Sequence, residues 1–388
     1  MKIVVVGAGI IGALTALRLA EGGAEETVVE AGQPAGAASG ASFGWINASF
    51  YADADHFNLR RAGIEAYRRL TRDLETDAVA WPGCLCWEQE GAAFDAQRAA
   101  LEALGYSLRE VDRSAFAEME PAIAAPHRAL HFRDEGAVDL ARLADQALRA
   151  SAARGARLIT GISVTGFDVR HGRLKAVQTQ QGALLADGCV IAAGVATQSL
   201  IKSVGIDLPM LHRPGLIVES EVLPPVLRHI LVSPGQELRQ LPNGRVLAPA
   251  AASHQGDARE HMDEAPDVLA DRTMARVSAL LNRSVRWERV TRAARPVPQD
   301  GLPVLGPCGP DGFYVTTMHS GATLAPLAAE LAAAEVLDRG LSNELSALLA
   351  PYRPQRFTAC ARKTPEGLPC RAALANRAPG CGSRAFPS

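Results

Sequence analysis

The amino-terminal stretch MKIVVVGAGIIG constrains this chain more than any other. A β-type apolar run, Lys2–Val6, passes directly into Gly7, Gly9 and Gly12. Beyond the glycines the pattern continues as a helix from Ile10 to Glu21, which Gly22-Gly23 closes in the manner of helix C-termini. A second short strand, Thr27-Val28-Val29, ends at Glu30. Strand, glycine turn, helix, strand and terminal acid together make the dinucleotide-binding pattern of a βαβ unit. Gly7 permits the sharp turn, Gly9 lets the backbone approach a pyrophosphate, and Gly12 allows the helix to pack closely on the strand. The helix start offers N–H groups and a partial positive charge to the phosphates. Glu30 is expected to accept hydrogen bonds from ribose hydroxyls; a carboxylate there disfavours a 2′-phosphate, so NADP fits poorly and NAD and FAD remain. Glu26 stands where this pattern usually has an apolar residue, and the strand is expected to begin after it, leaving the charge at an exposed end.

A chain of 388 residues exceeds one simple core, so two interlocked domains are expected. With 48% hydrophobic and 21% charged residues it has globular composition and enough apolar side chains to bury a bulky cofactor. A net charge of −2 provides no basic field for nucleic acid. No apolar run reaches the roughly 18 residues of a membrane span, and the first apolar run reads poorly as a secretory signal. Seven cysteines under those conditions point to reduced thiols and a cytoplasmic location. Cys84 and Cys86 have no second pair or histidine at ligand spacing, so no metal site is expected.

Three segments, 1–80, 139–209 and 290–350, read as parts of one discontinuous nucleotide-binding domain. Within them are a helix with Phe57, Ile64, Leu70 and Leu74 on one stripe and arginines opposite, capped by Asp53 or Asp55, and a second helix from Leu140 to Arg154. Strands follow around Arg157–Ile159, Val164–Val169, Leu174–Gln178 and Gly312–Thr317. Two insertions, 81–138 and 210–289, read as a β-rich substrate domain. There Glu237–Leu241 and Arg245–Ala250 flank Pro242-Asn243-Gly244, a strong hairpin signal. The tail 358–388 carries three of the seven cysteines with many Arg, Pro and Gly and no apolar period, and is expected to be loosely ordered.

Two late stretches, RPVPQDGLPVLG and GFYVTTMHSGATLAP, together with VIAAGVAT and the glycine fingerprint, give the chain its resemblance to a known family. It resembles the D-amino-acid oxidase/glycine oxidase/sarcosine oxidase family of FAD-dependent oxidoreductases over nearly all of residues 1–357. The resemblance implies an α/β architecture: a discontinuous Rossmann-like FAD-binding domain with an inserted β-rich substrate-binding domain. It selects FAD over NAD. It also implies that the carbonyl edge of the isoalloxazine meets the start of the last long helix, at Ser320, Gly321, Ala322, Thr323 and Leu324, with Thr323 adding a hydroxyl donor. Backbone N–H groups there suit the anionic N1–O2 end of a reduced flavin. Ala31 beside Glu30, the small-residue stretch with Ser39, Gly44 and Trp45, the strand residue Val164, and Ala193-Gly194 complete the implied cofactor contacts. Some relatives attach flavin through a cysteine; the matching position falls near Ala293, so noncovalent FAD is expected.

The implied reaction takes a hydride to the flavin from the carbon that bears an amine, giving an imine that water hydrolyses. Arg295, before Pro296, matches the arginine that grips the substrate carboxylate, a task for which the guanidinium fork is suited. His319, beside the implied flavin contacts, is placed to tune the ring, bind substrate or take a proton. Arg239 in the hairpin is read as lining the pocket or as solvent-exposed, with exposure expected, and His56, His127 and His212 receive no role. The substrate would be a small amino acid or N-alkyl amino acid and the electron acceptor oxygen or a quinone. Arg295 would serve a 2-hydroxy acid equally, and a flavin-carrying subunit of a hetero-complex would bear the same motifs.

Overall fold

A computed structural model describes residues 1–251 and 261–357, so the tail 358–388 lies outside the described residues. The apolar run at the amino terminus forms a central strand, Lys2–Val6, of a six-stranded sheet. Its neighbours are Glu25–Glu30 on one side and Gly188–Ile191 on the other, both parallel, with Val5 opposite Val28 and Val190. Arg157–Thr160 extends the sheet at one edge, and Phe313–Thr317 followed by the antiparallel Val304–Pro307 at the other. Alternation along these strands separates two apolar faces. Ile3, Val5 and Val28 face the helices Ile10–Glu21, Leu140–Ala152 and Gly321–Val336, burying Leu14, Leu143 and Ala325. Val4, Val6 and Val29 face a three-stranded antiparallel sheet formed by Val164–Arg170, Arg173–Thr179 and Gly182–Leu185.

The second large layer is an eight-stranded sheet with the helix Pro266–Leu280 packed on it through Met274 and Val277. The hairpin signal is realised there: Gln236–Gln240 and Arg245–Pro249 are joined by a turn whose Gly244 has φ +88°. The strand Trp287–Pro298 is the outer member of this sheet, paired along Met210–Val222. Thus Arg295 belongs to the eight-stranded sheet, and the sequence boundary near 290 falls inside a strand. A small sheet of Trp45–Ile46, Gly136–Val138 and Val79–Ala80 lies where the two layers meet. Among the described residues no helix is long and apolar enough to cross a membrane.

Three readings change. The second strand begins at Glu25, so Glu26 is not at its exposed end but inside the ladder opposite Ile3, only 2% exposed. Arg239 is buried, not solvent-exposed, because its guanidinium donates to the carbonyls of Phe43 and Val138. Gly182–Leu185, unread in the sequence, pairs with Arg173–Thr179 as a third strand.

Candidate active site

A cavity of about 640 Å³ runs between the two layers, within the usual range of roughly 300–1,000 Å³ for small-molecule sites. Its nucleotide end is built by the first βαβ unit. Gly7 takes φ +103°, and a Cβ there would lie 2.5 Å from the carbonyl oxygen of Ala192. On Gly12 a Cβ would lie 1.9 Å from the oxygen of Gly7, so only glycine lets the helix sit this close to the turn. Gly9, at the helix N-cap, leaves backbone open to the cavity, and Ser39 Oγ accepts the N–H of Ile10 at 3.0 Å. Glu30 is aimed by two backbone donors: Ala8 N–H to Oε2 and Gly32 N–H to Oε1, both at 2.8 Å. Each carboxylate oxygen keeps a lone pair for a ribose hydroxyl. Ala31, Val164, Ala193 and Gly194 line the same end. This cradle of close backbone, helix start and oriented acid fits the adenosine diphosphate half of FAD.

The middle of the cavity is walled by Gly44 and Trp45. Gly44 has φ +66° and packs so tightly that a Cβ would lie 2.1 Å from the oxygen of Val138. Trp45 is anchored from behind, its Nε1–H donating to Glu135 at 2.9 Å. Glu135 is fully buried and also accepts from Tyr106 OH and Ser49 N–H. Burial pushes its carboxyl up to about 7, against the pull of those donors.

The helix Gly321–Val336 also opens toward the cavity, with Ser320, Gly321, Ala322 and Thr323 on the wall. Leu324 and Thr323 are both engaged within the protein. Leu324 does not line the cavity: its side chain is in the core and its N–H bonds to the oxygen of Ser320 at 3.0 Å. Thr323 Oγ1 accepts the N–H of Asn47 at 3.2 Å and lies 3.4 Å from the oxygens of Trp45 and Asn47, so the hydroxyl ties the wall segment to the helix start. The first N–H groups of the helix, at Gly321 and Ala322, are the ones left to meet an anion. Gly12, likewise, acts from beneath the cavity wall through packing.

Arg295 and His319 both line the cavity, brought together from the eight-stranded sheet and from the loop before the last long helix. Arg295 is half-buried, with Nε and Nη2 directed at the carbonyls of Arg213 and Pro214. Sequence reasoning missed Arg60, which lies on the cavity wall yet is 5% exposed. Its signal was present: it stands three residues after Phe57 and four before Ile64, on the apolar stripe and not on the arginine face. Arg60 grips Asn47 O at 3.0 Å, Asn47 Oδ1 at 2.7 Å and Ser320 Oγ at 2.8 Å. One turn earlier, His56 is buried and held down at about 3 by burial and by the neighbouring Arg60 and His319. None of the four described cysteines lines the cavity.

The comparisons agree with this geometry. The sequence model of one family, described as FAD dependent oxidoreductase (DAO), matches residues 2–335. The uncharacterized oxidoreductase YurR of Bacillus subtilis (strain 168) is 29% identical, with 90% of this chain and 98% of that protein covered. A glycine oxidase of Pseudomonas aeruginosa is 28% identical over 91% of this chain and 98% of its own length. The structure of L-amino acid deaminase from Proteus vulgaris superposes with a TM-score of 0.81 at 18% identity, covering 92% of this chain and 97% of that one, which shows a shared fold. With a dinucleotide cradle, a second helix start on the wall of the same cavity and a family match across nearly the whole described chain, this protein belongs to the DAO family of FAD-dependent oxidoreductases.

Proposed function

We propose that this flavoenzyme oxidises the C–N bond of a small amino acid or N-alkyl amino acid. The observation that carries the reading is Arg295, a cation on the eight-stranded sheet that lines the same cavity as the dinucleotide cradle. Its fork binds the substrate carboxylate and so fixes which face of the α-carbon is presented. His319 takes the proton from the substrate ammonium, freeing the nitrogen lone pair. Bound FAD supplies the two-electron acceptor for the α-hydrogen, transferred as hydride. As the α-C–H bond breaks, the nitrogen lone pair forms the C=N bond; water then adds to the imine carbon and expels the amine, leaving a 2-oxo acid. The glycine oxidase relative supports this substrate class. Residues 81–138 and 210–289, with the strand Trp287–Pro298 that carries Arg295 to the cavity, form the substrate domain of this reading, and oxygen or a quinone takes the electrons onward. The described cysteines, all buried free thiols, support a cytoplasmic location.

The test is anaerobic bleaching of the purified yellow protein by a panel of amino acids and N-methyl amino acids, with ammonia, methylamine and 2-oxo acid assayed after turnover. Arg295→Leu should retain FAD and lose turnover of carboxylate substrates by at least about 100-fold, the size of a lost charged anchor. Unchanged kinetics in that variant would remove Arg295 from the site.

A further inference from the structure

Arg60 is a buried cation with no anion in contact with it. Each of its hydrogen bonds goes to a neutral oxygen, on Asn47, Ser320 or Thr323. Among the described residues no carboxylate lies within ion-pair distance of it; the acid whose charge reaches it is Glu135, from behind the cavity wall. The other groups facing Arg60 supply no anion: His56 is held neutral by burial and by Arg60, Tyr106 is a phenol, and His319 is an imidazole. Burying a guanidinium in this way is costly unless an anion meets it. Its Nη1–H donates to Ser320, the N-cap of the helix Gly321–Val336, whose own partial positive charge points at the same end of the cavity. Two independent sources of positive potential therefore converge on one wall.

We infer that Arg60 is the built-in countercharge of the flavin, a positioning residue that acts through Ser320 and the helix start to stabilise the negative charge of the reduced pyrimidine edge. Arg60 has this role only if that edge meets Gly321 and Ala322, the placement expected from the resemblance; it needs nothing from the identity of the substrate. By favouring reduced over oxidised FAD, the same charge raises the flavin potential and sets how readily the site takes electrons from any donor.

The test compares holoenzyme carrying Arg60→Gln, which keeps hydrogen bonding and loses charge, with Arg60→Lys, which keeps charge and loses the fork. Sulfite affinity and the two-electron midpoint potential are read, neither of which requires a substrate. Arg60→Gln should retain FAD, bind sulfite at least about tenfold more weakly, and fall in potential by about 30 mV for each tenfold loss in relative affinity for reduced flavin, while Arg60→Lys stays within about threefold of the parent. A parental potential in Arg60→Gln, or equal losses in both variants, overturns the assignment. Should Arg60→Gln fail to hold FAD, the unmodified holoenzyme decides. After anaerobic reduction, its flavin N1 should stay deprotonated at a pH where free reduced flavin takes up a proton; protonation at the pH of free flavin overturns the assignment. Gly321→Val isolates the placement: undiminished FAD content there would identify the position of the flavin, not the charge, as the error. Failure of the amine-oxidation reading would leave all of these readouts unaffected.

Discussion

At the scale of single residues, the glycines of the first turn do different physical work and are separable. Gly12→Ala would place a methyl 1.9 Å from the oxygen of Gly7. Relieving that overlap requires the helix to lift from the strand, a cost of about 1–3 kcal/mol for overpacking. A urea midpoint lowered accordingly and FAD content near zero are expected. Gly9→Ala meets only Ser39 Oγ at 3.2 Å and takes φ −67°, which any residue adopts. It should therefore fold with nearly parental stability yet lose FAD, because its methyl enters the space a pyrophosphate requires; equal FAD content by visible absorbance would refute that. These residues were legible because the motif is local: turn, approach and packing are all set within a dozen positions. Arg60 was legible only in part. Its place on the apolar stripe was visible, but its partners Asn47 and Ser320 come from remote segments, and only the fold shows that an arginine there meets oxygens instead of water.

Among elements, the helix Ala54–Leu74 connects the cofactor wall to the rest of the domain. Asp53 caps it by accepting the N–H of His56 at 2.8 Å, as its sequence position suggested. Its far half holds the last long helix through Tyr67, whose buried hydroxyl donates to the oxygen of Ala322 at 2.7 Å. Tyr67→Phe leaves that carbonyl without its donor, costing about 1 kcal/mol. Because Ala322 belongs to the helix start, the loss should also appear as faster FAD dissociation, read by fluorescence of released flavin; a stability loss with parental dissociation would confine Tyr67 to the core. Strands and helices of the βαβ segments were readable from period and turn chemistry, as was the hairpin at Pro242-Asn243-Gly244. The sheet to which Trp287–Pro298 belongs was not, because a strand's period records which face is buried and not which distant strand it pairs with.

For the molecule as a whole, the informative feature is a charge buried far from the chemistry. Glu26 lies on the helix-facing side of the six-stranded sheet beside Ile3, with Oε1 lacking any hydrogen-bond partner. Burial pushes its carboxyl up to about 7, whereas in an unfolded chain a glutamate titrates near about 4.3. Between those values the unfolded chain has released a proton that the folded chain retains, so this group subtracts stability as pH rises through the window. Below about 4.3 it is protonated in both states and contributes no slope; above about 7 it is ionised in both and the penalty is constant. Glu26→Gln keeps the volume and removes the ionisation. The variant should match its parent near pH 4 and exceed it by on the order of 2 kcal/mol above pH 7, measured by urea midpoints with FAD saturating at every pH so that cofactor linkage is held fixed. Glu135 titrates over the same range but supports Trp45 at the cavity, so it leaves a residual slope in the variant that is coupled to FAD retention. A parental pH profile in Glu26→Gln would mean that water reaches the Glu26 carboxylate and that the sheet edge opens there, contrary to the ladder that holds it between Glu25 and Thr27.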